Sequence, residues 1–159
     1  MERLLELLKS NGRASTEDLA KALNQKEADV AARLEALERD GTIVGYQAVF
    51  DPEKLGKGAV EAVIEVKITP ERGGGFDRLA SRLSKFEEVQ SCYLMSGGYD
   101  LLIIVQAQSL QAVARFIAER LSTVKGVIST ATHFRLKAYK ENGMFLHRES
   151  KPQRLAVSP

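Results

Sequence analysis

Over the first forty residues, apolar positions recur every three to four places, the period of an amphipathic helix. Leu4, Leu5, Leu7 and Leu8 form one face of a helix that Gly12 stops. Ser15 is placed as an N-cap, with Glu17 and Asp18 favourable in the first turn of a second helix that buries Leu19, Ala22 and Leu23. Asn24-Gln25-Lys26 breaks the pattern, and a third helix carries Val30, Leu34 and Leu37 on one face as far as Asp40-Gly41. Asn24 with Glu27 three residues later has the spacing of a capping box for that helix. Two helices across a turn of three or four residues, the second longer, have helix-turn-helix spacing, which puts the later helix in the major groove of DNA. The pattern fits equally a small three-helix bundle used for protein contacts.

Beyond residue 58 the period changes to two. Val60 to Ile68 alternates apolar and polar positions, as a half-buried strand does. Phe76, Leu79, Ala80, Leu83 and Phe86 return to helical spacing, Val89 to Met95 reads as a strand, and Ser96-Gly97-Gly98-Tyr99-Asp100 as a tight turn. Leu101 to Ala107 is a more fully apolar strand, and Ser109 can cap a helix carrying Val113, Phe116, Ile117 and Leu121. Gly126 ends the connection, Val127 to Lys140 is a long final strand, and Asn142-Gly143 is a hairpin signal. The order βαββαβ is ferredoxin-like: α+β, with helices on one face of the sheet. The other face needs a partner, and a second copy of the chain is the simplest one.

Charge sharpens this division. Lys and Arg number 23 against 21 Asp and Glu, a net +2 that does not advertise a nucleic-acid binder. Through Gly56 there are eight basic and eleven acidic residues, net −3, whereas the remainder has fifteen and ten, net +5. Cys92 is the one cysteine, so neither an internal disulfide nor a cysteine zinc cage is expected, and His133 and His147 are the only histidines. No apolar run is long enough to span a bilayer, and MERLLELLKS is too charged for a secretory signal. A cytoplasmic protein without cofactor is expected.

Five segments, in this order and spacing, carry a resemblance: LLELLKSNGRASTEDLAKAL, the series Val30-Arg33-Leu34-Leu37-Gly41-Ile43, GYQAVFDPEKLG, VQSCYLMSGGYDLLIIV and GVISTATHFRLK. Together they resemble the Lrp/AsnC (feast/famine) transcriptional regulators over about residues 2 to 140. The resemblance implies a helix-turn-helix DNA-binding domain at 1–42, a linker strand and hinge at 43–58 that pairs across a dimer, and a ferredoxin-like (RAM-type) amino-acid-sensing domain at 59–147. A flexible tail at 148–159 is expected after it. It also implies dimers that assemble further, often to octamers, with the effector held between neighbouring dimers.

Arg13, Gln25, Lys26 and Arg33 are the candidate contacts to double-stranded DNA. The third helix departs from the family pattern, with Lys26 and Glu27 where a Ser cap and a Pro are usual, and Asp29 and Glu35 on its exposed side. Carboxylates near phosphates oppose the counterion release that supplies non-specific affinity. For the effector, the resemblance points to Leu94, Met95, Gly97, Gly98, Tyr99 and Asp100, and on the last strand to Thr132, His133, Phe134 and Arg135. Asp100 has the chemistry to accept hydrogen bonds from a ligand ammonium while backbone amides take its carboxylate. The plainer reading makes the segment only a hairpin turn, with Asp100 satisfying its own backbone.

No catalytic signature occurs, and Cys92 has no His close in sequence. Siroheme decarboxylases share the architecture but rely on His and Arg around a tetrapyrrole, and this chain has no such cluster. A non-enzymatic regulator is expected; the alternative is a ligand-sensing scaffold with little DNA affinity.

Overall fold

The computed structural model describes residues 3–55, 59–70 and 75–146. The described residues fall into two compact units, those within Met1–Asp51 together with those from Tyr139 onward, and those within Pro52–Ala138.

In the first unit, α1 (Arg3–Ser10), α2 (Thr16–Leu23) and α3 (Glu27–Arg39) enclose a small core of Leu4, Leu19, Ala20 and Val30. Leu7, Leu8, Leu23, Leu34 and Leu37 pack around it. On α2 the expected face is corrected at one position: Ala22 is exposed, and Ala20, beside Leu19, is buried in its place because it is the residue that turns toward Leu4 and Val30. Ser15 caps α2: its hydroxyl accepts from the Asp18 amide at 3.0 Å and donates to the Asp18 carboxylate at 2.7 Å. The capping-box expectation for Asn24 and Glu27 is overturned. Asn24 is left-handed (φ 54°) and closes α2, its amide and that of Gln25 bonding back to Lys21 and Ala20 carbonyls. Lys26 takes the N-cap position of α3 and offers no side-chain acceptor.

After α3, the Asp40 carboxylate accepts from the Thr42 amide at 2.8 Å, turning the chain into a run at 44–50 that is neither helix nor strand and has no strand partner among the described residues. A short hairpin, β5 (Lys140–Glu141) with β6 (Met144–Phe145), groups with these helices. Asn142 and Gly143 both take positive φ at its turn, as the sequence signal requires.

The second unit is an antiparallel sheet in the order β2 (Val89–Leu94), β3 (Leu101–Ala107), β1 (Val60–Ile68), β4 (Val127–Phe134). Ala62, Ile64, Val66 and Ile68 of β1, with Leu101, Ile103 and Val105 of β3, face α4 (Asp77–Leu83) and α5 (Leu110–Phe116). Each large aliphatic side chain fully buried here contributes roughly 1.5–3 kcal/mol. Alternation sends Val63, Leu102, Ile104 and the half-exposed Tyr93 to the opposite face, which no helix or strand among the described residues of the unit covers.

The last strand is shorter than its apolar pattern predicts, ending at Phe134 instead of Lys140. Its partner is the reason. Among the described residues β4 pairs only with β1, their ladder running to Ala62 opposite Phe134, and one further bond joins the Arg135 amide to the Glu61 carbonyl. Among the described residues no ladder between the two strands continues past that bond. Similarly, α4 stops at Leu83, leaving Phe86 on the following turn, where it meets Phe116 edge-on at 5.6 Å. Residues 117–121 widen into a π-helical turn that lays the Arg120 guanidinium 4.6 Å above the Phe86 ring, beside Glu88. The tail at 148–159 and the Gly56-Lys57-Gly58 end of the linker lie outside the described residues.

Candidate functional site

The four side chains expected to contact DNA are all exposed. Arg13 stands in the turn before α2, its backbone amide donating to the Asn11 side-chain oxygen Oδ1 at 3.1 Å. Gln25 and Lys26 form the turn between α2 and α3, and the Lys26 carbonyl accepts the first amides of α3, from Asp29 and Val30. Arg33 lies seven residues further along α3, roughly 10 Å at 1.5 Å per residue. Thus the turn and the exposed side of one helix carry three of the four.

Three nearby carboxylates are engaged locally. Glu17 pairs with Lys21 at 2.5 Å, one helical turn away. Asp18 is bonded by Ser15, which holds its pKa below the usual carboxylate value. Glu27 accepts from the Thr16 hydroxyl at 2.8 Å. Periodicity gives no sign of this last pair, because eleven residues separate partners that meet only when α3 folds back beside α2.

The residues expected to hold an effector divide into two groups. Leu94 ends β2 opposite Leu101, and the turn through Met95 is closed by the Met95 amide bonding to the Asp100 carbonyl at 2.8 Å. Gly97 takes φ 136°, a conformation few other residues adopt. Asp100 is tied into the sheet: its amide donates to the Val66 carbonyl at 3.0 Å, and its carboxylate accepts from the Ile68 amide at 2.8 Å. That amide sits at the register shift between Lys67 and Ile68, where the β1–β4 ladder slips.

Thr132, His133 and Phe134 occupy the other end of β4, on the far edge of the sheet, and Arg135 follows directly after it. Strand alternation puts Thr132 and Phe134 on the helix side and His133 and Arg135 on the uncovered side. His133 approaches Glu65 at 3.3 Å, and Arg135 forms an ion pair with Glu61 at 2.7 Å. Leu101 stands opposite Val66 whereas His133 stands opposite Val63, so the groups are offset by three positions, roughly 10 Å, and by two strand spacings of roughly 5 Å. Within one chain the two groups do not meet. Among the described residues no three His, Cys, Asp or Glu side chains gather to hold a metal, and no helix is long and apolar enough to cross a membrane.

Comparison with known proteins agrees with this division. Residues 2–44 match the model for a winged helix-turn-helix DNA-binding domain, and residues 61–145 that for the Lrp/AsnC ligand binding domain. The uncharacterised HTH-type transcriptional regulator YugG of Bacillus subtilis is 43% identical over 98% of this chain and 95% of its own. The leucine-responsive regulatory protein of Escherichia coli K12 is 30% identical over 87% of this chain and 84% of its own. Among solved structures, a transcriptional regulator of Neisseria meningitidis in complex with L-Met superposes with a TM-score of 0.67 at 28% identity, covering 87% of this chain and 88% of that one. These relatives are regulators of transcription, not enzymes. With the helix-turn-helix unit, the ferredoxin-like sheet and both family models in the same order along it, the chain belongs to the Lrp/AsnC family of DNA-binding transcriptional regulators.

Proposed function

We propose that the chain controls transcription in response to an amino acid held between dimers, with α3 and the turn before it reading DNA. The observation that carries this reading is the separation of the two effector groups. The turn at 95–100 and the end of β4 at 132–135 lie at opposite ends and on different edges of one sheet. A site that uses both sets must therefore draw them from different chains, which makes effector binding an assembly event. An effector with different affinity for two assembly states shifts their populations, and so changes the spacing of the DNA-binding units.

Two features support self-assembly. The uncovered sheet face presents Val63, Leu102, Ile104 and Tyr93, and the run at 44–50 leaves Val44 95% and Phe50 63% exposed, with no ladder to another described strand. A linker strand and a sheet face from a second copy would cover both. In the relatives, the solved complex with L-Met makes an amino acid the natural ligand class to test first.

The decisive measurement has two arms. A duplex from upstream of the chain's own coding sequence is titrated in a mobility-shift assay across a salt series, with a scrambled duplex as competitor. Each standard amino acid is then screened by thermal shift, where a true effector raises the melting temperature by mass action, and by its effect on the DNA titration. A sequence-preferring shift altered by a stabilising amino acid supports the reading. Failure of every amino acid to stabilise the protein or alter the shift would falsify it.

A further inference from the structure

We propose that Glu27 is a positioning residue of the DNA-reading helix, a carboxylate whose loss weakens DNA binding even though it removes negative charge from the side that approaches phosphate. This role rests on the reading of α2 and α3 as the DNA-contacting pair. Three observations carry it. First, α3 begins without a side-chain cap: Lys26 occupies the N-cap position and supplies only its carbonyl, and the Asn24 that precedes it is committed to closing α2. The first amides of α3 thus gain nothing from the usual Ser or Asp, and another anchor must set where the helix starts. Second, the Thr16 hydroxyl donates to the Glu27 carboxylate at 2.8 Å, joining the first residue of α2 to the first residue of α3. Third, Thr16 is itself fixed, because Ser15 immediately before it caps α2 through both its contacts with Asp18. The start of the reading helix is therefore tied to a capped helix start beside it.

The same bond decides where the charge goes. A carboxylate at the first position of a helix is favourable to the macrodipole, but in a groove-facing helix it also meets phosphate. Drawn back onto Thr16, Glu27 keeps the first benefit while its oxygen is turned toward α2. Small displacements of a reading helix misplace every base-edge contact it makes, so the anchor acts on affinity without touching DNA.

Charge and position predict opposite signs, which makes the test sharp. Glu27→Ala, Glu27→Gln and Thr16→Val are compared with wild type for binding to the upstream duplex and to a scrambled duplex. If charge alone governs, Glu27→Ala binds both duplexes more tightly. The positioning role instead predicts that Glu27→Ala and Thr16→Val each lose about fivefold in affinity for the preferred duplex, the scale of one missing hydrogen bond. In Glu27→Gln the amide oxygen still accepts from Thr16, and binding stays at or above the wild-type level. The Thr16→Val/Glu27→Ala double variant loses no more than either single one, since both remove the same bond. Tighter binding by Glu27→Ala, or additive losses in the double variant, overturns the proposal. Hydrogen exchange of the Glu27–Val30 amides, measured on the free protein, separates this from failure of the DNA reading. Faster exchange in Thr16→Val and Glu27→Ala but not in Glu27→Gln supports the anchor even if the wild type proves to bind no DNA, and unchanged exchange in all three rejects it.

Discussion

The carboxylate of Asp100 accepts a hydrogen bond from the backbone amide of Ile68 at 2.8 Å, across 32 residues of sequence. The bond explains how a turn expected to hold ligand is itself held. At the bulge between Lys67 and Ile68, β1 slips out of register with β4, and Asp100 satisfies the amide there.

Replacing Asp100 by Ala is expected to destabilise the sheet by about 1–3 kcal/mol, the cost of leaving a half-buried amide without its partner. Asp100→Asn keeps an acceptor and should retain most of that stability. Urea denaturation of the three proteins checks this, and equal midpoints for Ala and wild type would show the bond to be idle. Thermal shift with a stabilising amino acid then reads the second duty of the residue, because Asn keeps the structural bond yet has no charge for a ligand ammonium.

Gly126 turns the chain from the π-helical region into β4 with φ 102°, and a Cβ placed there would lie 3.1 Å from Cδ2 of the buried Leu79. Gly126→Ala is expected to cost roughly 1–2 kcal/mol from the backbone alone. The loss should appear in the melting of the sheet unit, and a neutral result would mean that the turn relaxes.

Phosphate contacts have a separate signature. Converting Lys26 to Glu and Arg33 to Ala should weaken binding to preferred and scrambled duplexes alike. The slope of log affinity against log salt should flatten by about 0.9 for each phosphate that is no longer neutralised. An unchanged slope rejects these two residues as phosphate ligands.

The cap of α2 makes a pH-dependent contribution. The Ser15 hydroxyl holds the Asp18 pKa below its usual value, so the stabilisation is present above the unfolded carboxylate value of about 4 and is lost as pH falls through the lower folded value. Ser15→Ala is expected to lose about 1 kcal/mol at neutral pH and to flatten the acid limb of the stability curve. Cys92 shifts the other way: burial raises its thiol pKa. Its alkylation by iodoacetamide should set in at higher pH than for an exposed cysteine, whose pKa is about 8.5. The stability linked to the neutral thiol is complete below that unfolded value and declines as pH rises through the folded one.

Much of the architecture was legible because it depends on local periodicity. Leu4, Leu19, Val30 and Leu34 announced the helical core, and the alternation of Ala62, Ile64, Val66 and Ile68 identified the sheet face that became buried. The Ser15 and Ser109 caps were readable for the same reason, each bonding an amide three residues ahead. Apolar spacing could not set the end of β4, because its length depends on how far its pairing with the distant β1 continues. Nor could it distinguish Asn24 as the end of α2 from Asn24 as the start of α3, since one left-handed residue serves the first role and an extended one the second.

Two units of different hydrophobic period, their elements and buried faces, and a family whose motifs span most of the chain all follow from the order of residues. What the charges do emerges only once the chain is packed. The −3 of the first 56 residues looked like an obstacle to DNA, yet Glu17, Asp18 and Glu27 each meet a partner within the helical unit. Packing also set Asp100 apart from His133 and Arg135 on one sheet. One cause underlies both outcomes: periodicity depends on neighbours a few residues away, whereas hydrogen bonds and sheet order depend on which distant segments the packed core brings together.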